Sequence, residues 1–174
     1  KGITTDGTNL YVADRNIHRI RQIVIDNGTV TTLAGSSAGN SDNPTGTSAK
    51  FRAPAGITTD STNVYVADTG NHLIRQIVID NGTVTTLAGT GSSGSTDDNG
   101  TSASFDTPYG ITTDGTNLYV ADSFNHSIRQ IGIDNRSVTT LAGSGSFGSS
   151  NGVGTSAKFK TPYGITTDGT NLYV

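Results

Sequence analysis

The stretch Gly110-Ile111-Thr112-Thr113-Asp114-Gly115-Thr116-Asn117-Leu118-Tyr119-Val120-Ala121-Asp122 decides how this chain folds. It predicts a short strand, a tight turn and a second strand, because Ile, Tyr and Val favour strands and Asp-Gly favours turns. The same pattern begins at Gly2, Gly56 and Gly164, so the sequence repeats with a period of 54 residues. A fixed period of this size indicates a repeat architecture.

Each period predicts four short strands followed by a long polar loop. The period that begins at Gly56 illustrates this, with strands predicted at Gly56–Thr59, Val64–Ala67, Leu73–Ile79 and Thr83–Ala88. The turn Asp68–Asn71 separates the second strand from the third, and Asn81-Gly82 predicts a type I′ hairpin between the third and the fourth. Gly89–Ser104 is rich in Gly, Ser, Thr and Asp, which predicts a loop leading to the next repeat.

The third strand of each repeat is apolar on both faces, as Ile74, Ile77, Val78 and Ile79 show. A sheet that lies between two other sheets needs apolar groups on both sides. Four-stranded antiparallel sheets arranged around an axis are the blades of a β-propeller. The predicted fold is therefore all-β, a single propeller segment over 1–174 with blades at 2–54, 56–108 and 110–162 and a partial fourth blade at 164–174. A parallel β-helix is the alternative architecture.

Several motifs recur in a fixed order, namely Pro-Tyr-Gly-Ile-Thr-Thr-Asp, Leu-Tyr-Val-Ala-Asp, Asn-His-Ser-Ile-Arg and Val-Thr-Thr-Leu-Ala-Gly. In these motifs, and in the pairs Asn71-His72 and Asn125-His126, the whole chain resembles the NHL-repeat β-propellers. The resemblance implies a ring of six blades, whereas this chain offers three. Three blades leave exposed sheet edges. We therefore expect either a second copy, as a homodimer, or further sequence to complete the ring, and we favour the second copy.

Two repeats depart from the pattern. The first has Arg15-Asn16-Ile17-His18, with Ile17 where the other repeats have Asn, and this predicts a differently shaped turn. The third has Asn135-Arg136 where the others have Asn-Gly. Because Gly tolerates positive φ and Arg does not, this predicts either another turn type or a strained one.

The composition narrows the classes of function. The chain has 174 residues and a net charge of −3, which argues against a nucleic-acid partner bound through phosphates. It contains no Cys, so thiol chemistry and disulfides are excluded. No apolar run is long enough for a membrane span. Low charge with abundant Thr, Ser and Asn predicts an exported bacterial protein, at the cell surface, in the periplasm or outside the cell.

The candidate ligand-binding residues lie at the turn between strands two and three and in the middle inter-blade loop: Asp68, Asn71, His72, Asp122, Asn125, His126, Asp97 and Asp98. Asp and His four residues apart, repeated around a ring, are residue types that bind a metal ion. The alternative is that Asp caps backbone amides and His bonds between strands. The presence of the pair in every repeat favours this structural role.

A second acidic set ends the innermost strands, at Asp6, Asp60, Asp114 and Asp168. In a closed ring these carboxylates would form a collar able to hold Ca²⁺. The alternative, which we favour, is an Asx turn within Asp-Gly-Thr-Asn. Two further sets recur once per repeat, Arg21, Arg75 and Arg129, predicted to pair with a neighbouring Asp, and Phe51, Phe105 and Phe159, predicted to fix the loops to the blade edges.

The sequence predicts a binding or scaffold module without catalysis or a bound cofactor, since no catalytic serine elbow, phosphate loop or carboxylate pair is present. We expect a protein or carbohydrate ligand on the face formed by the strand 2–3 turns and the long loops. The alternative is a metal-dependent lyase or lactonase with a cation in the channel. RNA binding, known for some members of the family that the chain resembles, fits the acidic composition worst.

Overall fold

The computed structural model describes residues 1–174 as a row of antiparallel sheets, three of them built on four-stranded meanders. Blade 1 contains β1 (Ile3–Thr5), β2 (Asn9–Asp14), β3 (Arg19–Val24) and β4 (Val30–Ala34). Blade 2 contains β5 (Ile57–Thr59), β6 (Asn63–Asp68), β7 (Leu73–Val78) and β8 (Val84–Ala88).

Blade 3 has the same meander and one added strand. It contains β10 (Pro108–Thr113), β11 (Asn117–Asp122), β12 (Ser127–Gly132) and β13 (Ser137–Ala142), while β9 (Asp98–Asn99), from the preceding loop, pairs with β13 at the outer edge. The two-stranded sheet of β14 (Thr166–Thr167) and β15 (Leu172–Tyr173) begins a fourth blade. The predicted polar loop Gly89–Ser104 thus carries a short strand that ties two blades together.

Short 3-10 helices fill the connections. One lies between strands two and three of each blade, at Arg15–Ile17, Thr69–Asn71 and Ser123–Asn125. Three lie in the inter-blade loops, at Gly46–Ser48, Gly100–Ser102 and Gly154–Ser156. The chain has no helix with the length and apolar character that crossing a membrane requires.

The hydrophobic core consists of two layers between blades. The layer between blades 1 and 2 includes Ile77 and Phe51, and the layer between blades 2 and 3 includes Ile74 and Phe105. Ile74 and Ile77 lie on the same strand and pack into different layers, which confirms the prediction of a strand that is apolar on both faces. All four side chains are fully buried.

The two outermost faces of the row have no blade against them. Ile3 and Val30 of blade 1 are exposed, whereas Ile57 and Val84, one repeat later, are buried. At the other end, Leu141 of blade 3 is exposed while Leu87 of blade 2 is buried. Equivalent residues of the repeats therefore form a buried core layer inside the row and an exposed apolar face at each end.

The hairpins between strands three and four differ from the predicted type I′ turn. In blade 2, Val78 N–H donates to Thr83 O (3.0 Å) and Gly82 N–H donates to Val78 O (2.8 Å), so the loop has four residues. Gly82 has φ +73° but Asn81 does not have positive φ, and type I′ requires it at both positions. The Asn81 side chain instead accepts a bond from Thr83 N–H (2.9 Å), which stabilises the longer loop.

The two departures from the repeat change side chains rather than backbone. Arg136 adopts φ +57° in the same loop, so the strained alternative is the one that forms. The first-blade turn is also not reshaped. His18 has φ 60° and ψ 40°, close to the 57° and 37° of His72, because both turns end in the same left-handed residue.

Candidate functional site

The aspartates that end the inner strands are held inside their own turns. Asp6 Oδ1 accepts bonds from the backbone N–H groups of Thr8 (2.8 Å) and Asn9 (2.7 Å), and Asp6 Oδ2 accepts one from the Tyr11 hydroxyl (2.7 Å). Partial burial by itself raises the pKa of Asp6, but these hydrogen bonds outweigh it and lower that pKa to about 2. Asp60, Asp114 and Asp168 repeat the arrangement.

These bonds define an Asx turn, the favoured sequence interpretation. Both carboxylate oxygens of Asp6, Asp60 and Asp114 are engaged locally rather than shared around a channel. No three His or Asp side chains of the chain lie close enough together to hold a metal ion. Within one chain these carboxylates are therefore engaged in turns, and the acidic collar of a closed ring stays a prediction.

Asp68 and Asp122, two of the predicted ligand-binding residues, form buried ion pairs. Asp68 Oδ2 lies 2.9 Å from Nη1 of Arg75, and Asp122 Oδ2 lies 2.8 Å from Nη1 of Arg129. All four side chains are fully buried. Burial raises the pKa of both carboxyl groups, while the Asn, backbone and Arg donors around each act in the opposite direction. These carboxylates have no exposed surface and stabilise the blade from inside.

The same arginines join neighbouring blades. Nη2 of Arg129 donates to Asp97 Oδ1 (2.6 Å) in the preceding loop, and Asp97 also accepts bonds from the N–H and hydroxyl of Thr140. These donors outweigh partial burial and lower the pKa of Asp97. Arg75 bonds to Asp42 in the same way (2.6 Å). This confirms the predicted pairing of Arg75 and Arg129 with a neighbouring Asp.

The Asn-His pairs also connect blades. Nδ2 of Asn71 donates to Gly39 O (2.6 Å) in the preceding loop and to Asp68 (2.8 Å). Nδ1 of His72 accepts a bond from Thr107 N–H (3.1 Å) in the following loop. Asn125 and His126 repeat these contacts with Gly94 and Thr161. Asp98, in contrast, is exposed on the β9 edge.

The structure brings two of the predicted ligand-binding residues, Asp97 and Asn125, to one polar cleft of about 500 Å³, and does not gather the others there. It brings together a different set, at the channel mouth on the face of the strand 2–3 turns. A cleft of about 560 Å³ lies there, lined by Lys1, Arg15, Thr107, Tyr109, Phe124 and Tyr163. Phe124 is 57 % exposed and Tyr163 is 54 % exposed, so two aromatic rings face solvent.

Two cations and two tyrosines organise this cleft. The Arg15 guanidinium lies 5.6 Å from the Tyr109 ring centre, and its Nη1 donates to the Tyr109 hydroxyl (3.1 Å). Nζ of Lys1 lies 5.7 Å from the same ring centre. Tyr163 packs edge-on against Tyr109, with 4.9 Å between ring centres. Arg15 forms no ion pair with a carboxylate, so the cleft combines positive charge with aromatic surface.

The cleft arises from the atypical first blade. Thr69 and Ser123 use their hydroxyls to bind the carbonyls of Pro108 (2.7 Å) and Pro162 (2.6 Å) in the next blade. Arg15 occupies the corresponding position in blade 1 and reaches across the mouth to Tyr109 instead. The sequence carried a signal for this, since Arg15 and Phe124 differ between otherwise near-identical repeats. Their proximity depends on blade curvature, which the sequence does not show.

Four-stranded meanders packed face to face, with the first strands of successive blades lining the groove that would be the channel of a closed ring, define the chain as a run of β-propeller blades. No protein-family model matches the chain. NHL repeat-containing protein 2 of Homo sapiens is 34 % identical over 145 residues, which is 76 % of this chain. Together with the recurring Asn-His motifs, this relationship shows that the chain belongs to the NHL-repeat β-propellers.

Solved structures show the same fold. A structural genomics protein of Bacteroides thetaiotaomicron superposes with a TM-score of 0.77 at 24 % identity, over 96 % of this chain and 42 % of that one. An auxiliary nutrient binding protein of the same species superposes with a TM-score of 0.74 at 19 % identity, over the same shares. The chain spans about a fifth of the length of the human relative.

Proposed function

We propose that this chain is a non-catalytic binding module that recognises a carbohydrate, with the cleft at the channel mouth as the binding site. The observation that carries the proposal is the grouping of two exposed aromatic rings with two cations in one concave site. Aromatic rings offer flat apolar surfaces against which the C–H faces of a sugar pack, and their hydroxyls supply hydrogen bonds. The nutrient-binding name of one structural neighbour agrees with this proposal.

The charge of the site narrows the ligand to an acidic sugar. Arg15 has guanidinium donors beyond the one used by Tyr109, and a guanidinium matches the geometry of a carboxylate. We propose a uronate-bearing polymer as the ligand. An exported bacterial protein, at the cell surface or in the periplasm, would meet such polymers.

Isothermal titration with a galacturonate oligosaccharide tests the proposal, with a neutral glucose oligosaccharide of equal length as reference. We expect binding of the acidic sugar, and at least tenfold weaker binding for Tyr163→Ala and for Arg15→Met. Phe147→Ala is the control for loss of an exposed aromatic residue outside the cleft, measured at a protein concentration at which it and the unmodified chain have the same oligomeric state. Absence of binding, or equal affinity in Tyr163→Ala, would overturn the assignment.

We also propose that two copies of the chain complete one ring. Blade 2 buries one of its faces against blade 1. The open face of blade 1 carries the equivalent side chains, 54 residues earlier in the sequence. Continuation of an existing interface is the simplest way to cover an apolar face of this kind.

A further inference from the structure

We infer that blade 3 of one copy packs against blade 1 of a second copy through a junction with its own chemistry, centred on Phe147 and Ile17. This inference rests on the proposed self-association and names the residues that produce it. The junction between blades 2 and 3 is the template, because the loop before blade 3 and the loop after it have the same backbone. Gly94 N–H donates to Phe105 O (3.1 Å), and Gly148 N–H donates to Phe159 O (2.9 Å).

The loop backbones also agree at their other end. Asn99 has φ −97° and ψ 128°, and Val153 has φ −97° and ψ 127°. Gly100 and Gly154 follow with φ +52° and φ +55°. Each residue of the second loop can therefore be assigned the partner that its counterpart has in the first. Gly148 corresponds to Gly94, Asn151 to Asp97 and Val153 to Asn99.

Inside the chain this junction is polar. Asn125 donates to Gly94 O (2.7 Å), and Asn99 donates to Asn135 O (2.6 Å). At the two open ends the corresponding side chains are apolar. Ile17 of blade 1 lies at the position that Asn125 has in blade 3, and it is 44 % exposed. Phe147, next to Gly148, is 69 % exposed, and Val153 is 91 % exposed.

The replacements match across the two ends. A second copy seated as blade 3 seats on blade 2 would place its Ile17 beside Gly148 and Phe147. Its Thr29 and Val30 would lie along Gly152 and Val153, as Ser137 and Val138 lie along Asp98 and Asn99. Exposed apolar side chains on both open ends would then bury one another, which offsets the loss of the Asn hydrogen bond.

The charges follow the same pattern. Arg129 takes a second carboxylate from Asp97, whereas Arg21 would meet the neutral Asn151 of the other copy. Asp14, at 3.8 Å, is the only carboxylate that pairs with Arg21, whose Nε donates to Thr31 O (3.3 Å) and whose side chain is part-exposed. Residues 164–174 repeat residues 2–12 identically, and β1 and β2 of the second copy stay paired with their own β3, so the hairpin 164–174 would have to give up its place beside β10 to them. The exchange forms the same strand pair in both cases.

A gain of affinity is the sharpest test, because it does not depend on damage to the fold. Asn151→Asp would give Arg21 of the second copy the carboxylate that Asp97 gives Arg129. We expect the 174-residue chain to form dimers, measured by sedimentation equilibrium, and Asn151→Asp to tighten the dimer about fivefold to tenfold. Arg21→Met should abolish this gain in the double variant. Phe147→Ser, which installs the residue found at position 93, should weaken the dimer of the unmodified chain at least tenfold.

Thermal denaturation of dilute monomer serves as the control, and Asn151→Asp should leave it unchanged. A chain that stays monomeric with and without Asn151→Asp overturns both the junction and the self-association. Dimers that are indifferent to Phe147→Ser and Asn151→Asp overturn the junction alone and leave self-association standing. Sugar binding is measured separately by titration, so failure of the proposed ligand is distinguishable from failure of the junction.

Discussion

Blades 1 and 2 carry the same Asp and Arg, seven positions apart, and use them differently. In blade 2, Asp68 and Arg75 are fully buried with 2.9 Å between Oδ2 and Nη1. In blade 1, Asp14 and Arg21 are part-exposed and 3.8 Å apart. The difference comes from the preceding loop, which covers blade 2 and supplies Asp42 and the carbonyls of Ser41 and Lys50 to Arg75.

The comparison shows that the identity of a residue pair does not decide what it contributes to stability. A buried guanidinium is stable only when most of its donors find acceptors. Four acceptors surround Nη1 and Nη2 of Arg75, while its buried Nε has no hydrogen-bond partner. The Phe51 ring lies below it, 5.0 Å from the guanidinium carbon. Phe51 and Phe105 thus fix the loops from inside the core, whereas Phe159, with no following blade, is only half-buried.

The largest expected effect comes from removing one partner of the buried pair. Arg75→Met should lower the free energy of unfolding by about 3–5 kcal/mol, because Asp68 and Asp42 lose their counter-ion while Asp68 stays buried. Arg21→Met should cost only about 0–1 kcal/mol, as for other exposed pairs. Urea denaturation of dilute monomer measures both, with Arg129→Met as a second buried case. Equal losses for Arg75→Met and Arg21→Met would contradict the comparison.

Most of the fold could be predicted from the sequence, because the 54-residue period and the strand patterns are local properties. The Asx turn at Asp114 and the pairing of Arg75 were predictable for the same reason, since their residue types recur in every blade. The cleft was not predictable, because Arg15 and Tyr109 lie 94 positions apart and meet only through blade curvature. The burial of Asp68 also depends on a loop from another repeat, which its own motif does not reveal.

A smaller loss of stability is expected when Asn71 of blade 2 is replaced by isoleucine, the residue that blade 1 has at the equivalent position 17. Asn71→Ile should lower the free energy of unfolding by about 2 kcal/mol, because Gly39 O and Asp68 each lose a donor in a buried setting. Ile17→Asn, the reverse change in blade 1, should alter the stability of dilute monomer by no more than about 0.5 kcal/mol, since no loop covers that position. Chemical denaturation of the two variants checks the prediction. A loss from Ile17→Asn as large as that from Asn71→Ile would show that the loop is not what matters.

The Asx turns provide a pH-dependent test that compares an engaged with a free carboxylate. Although partial burial alone raises the pKa of Asp114, hydrogen bonds from Asn117, Thr116 and Tyr119 lower it to about 2. A lowered folded-state pKa means that the ionised form stabilises the fold above about pH 4, the ordinary value for Asp, and that this contribution is lost as the pH falls towards 2. Asp114→Asn should therefore cost about 1 kcal/mol at pH 7 and progressively less below pH 4.

Thermal melts at pH 7, 4 and 2.5 measure this difference between wild type and variant. Asp134→Asn is the matched control, because Asp134 is exposed in the same blade and forms no hydrogen bond through its side chain. A pH-independent effect of Asp114→Asn would show that the turn does not depend on the charge of the carboxylate.

The smallest effect is expected at the hairpins, where blade 3 differs from blade 2 in one residue. Arg136 and Gly82 adopt almost the same backbone, with φ +57° and φ +73°. This left-handed region strains a residue with a Cβ atom but not glycine. Arg136→Gly should therefore raise the free energy of unfolding by about 0.5 kcal/mol, the relief of strain being partly offset by the greater freedom of glycine in the unfolded chain. Gly82→Arg should lower it by about 1 kcal/mol, since a Cβ atom there meets nothing closer than 3.4 Å and backbone strain is the main cost. Urea denaturation measures both variants. Opposite signs for the two substitutions would show that the blades differ here in backbone strain and not in shape. A destabilising Arg136→Gly would mean that the arginine side chain makes contacts that outweigh its backbone strain.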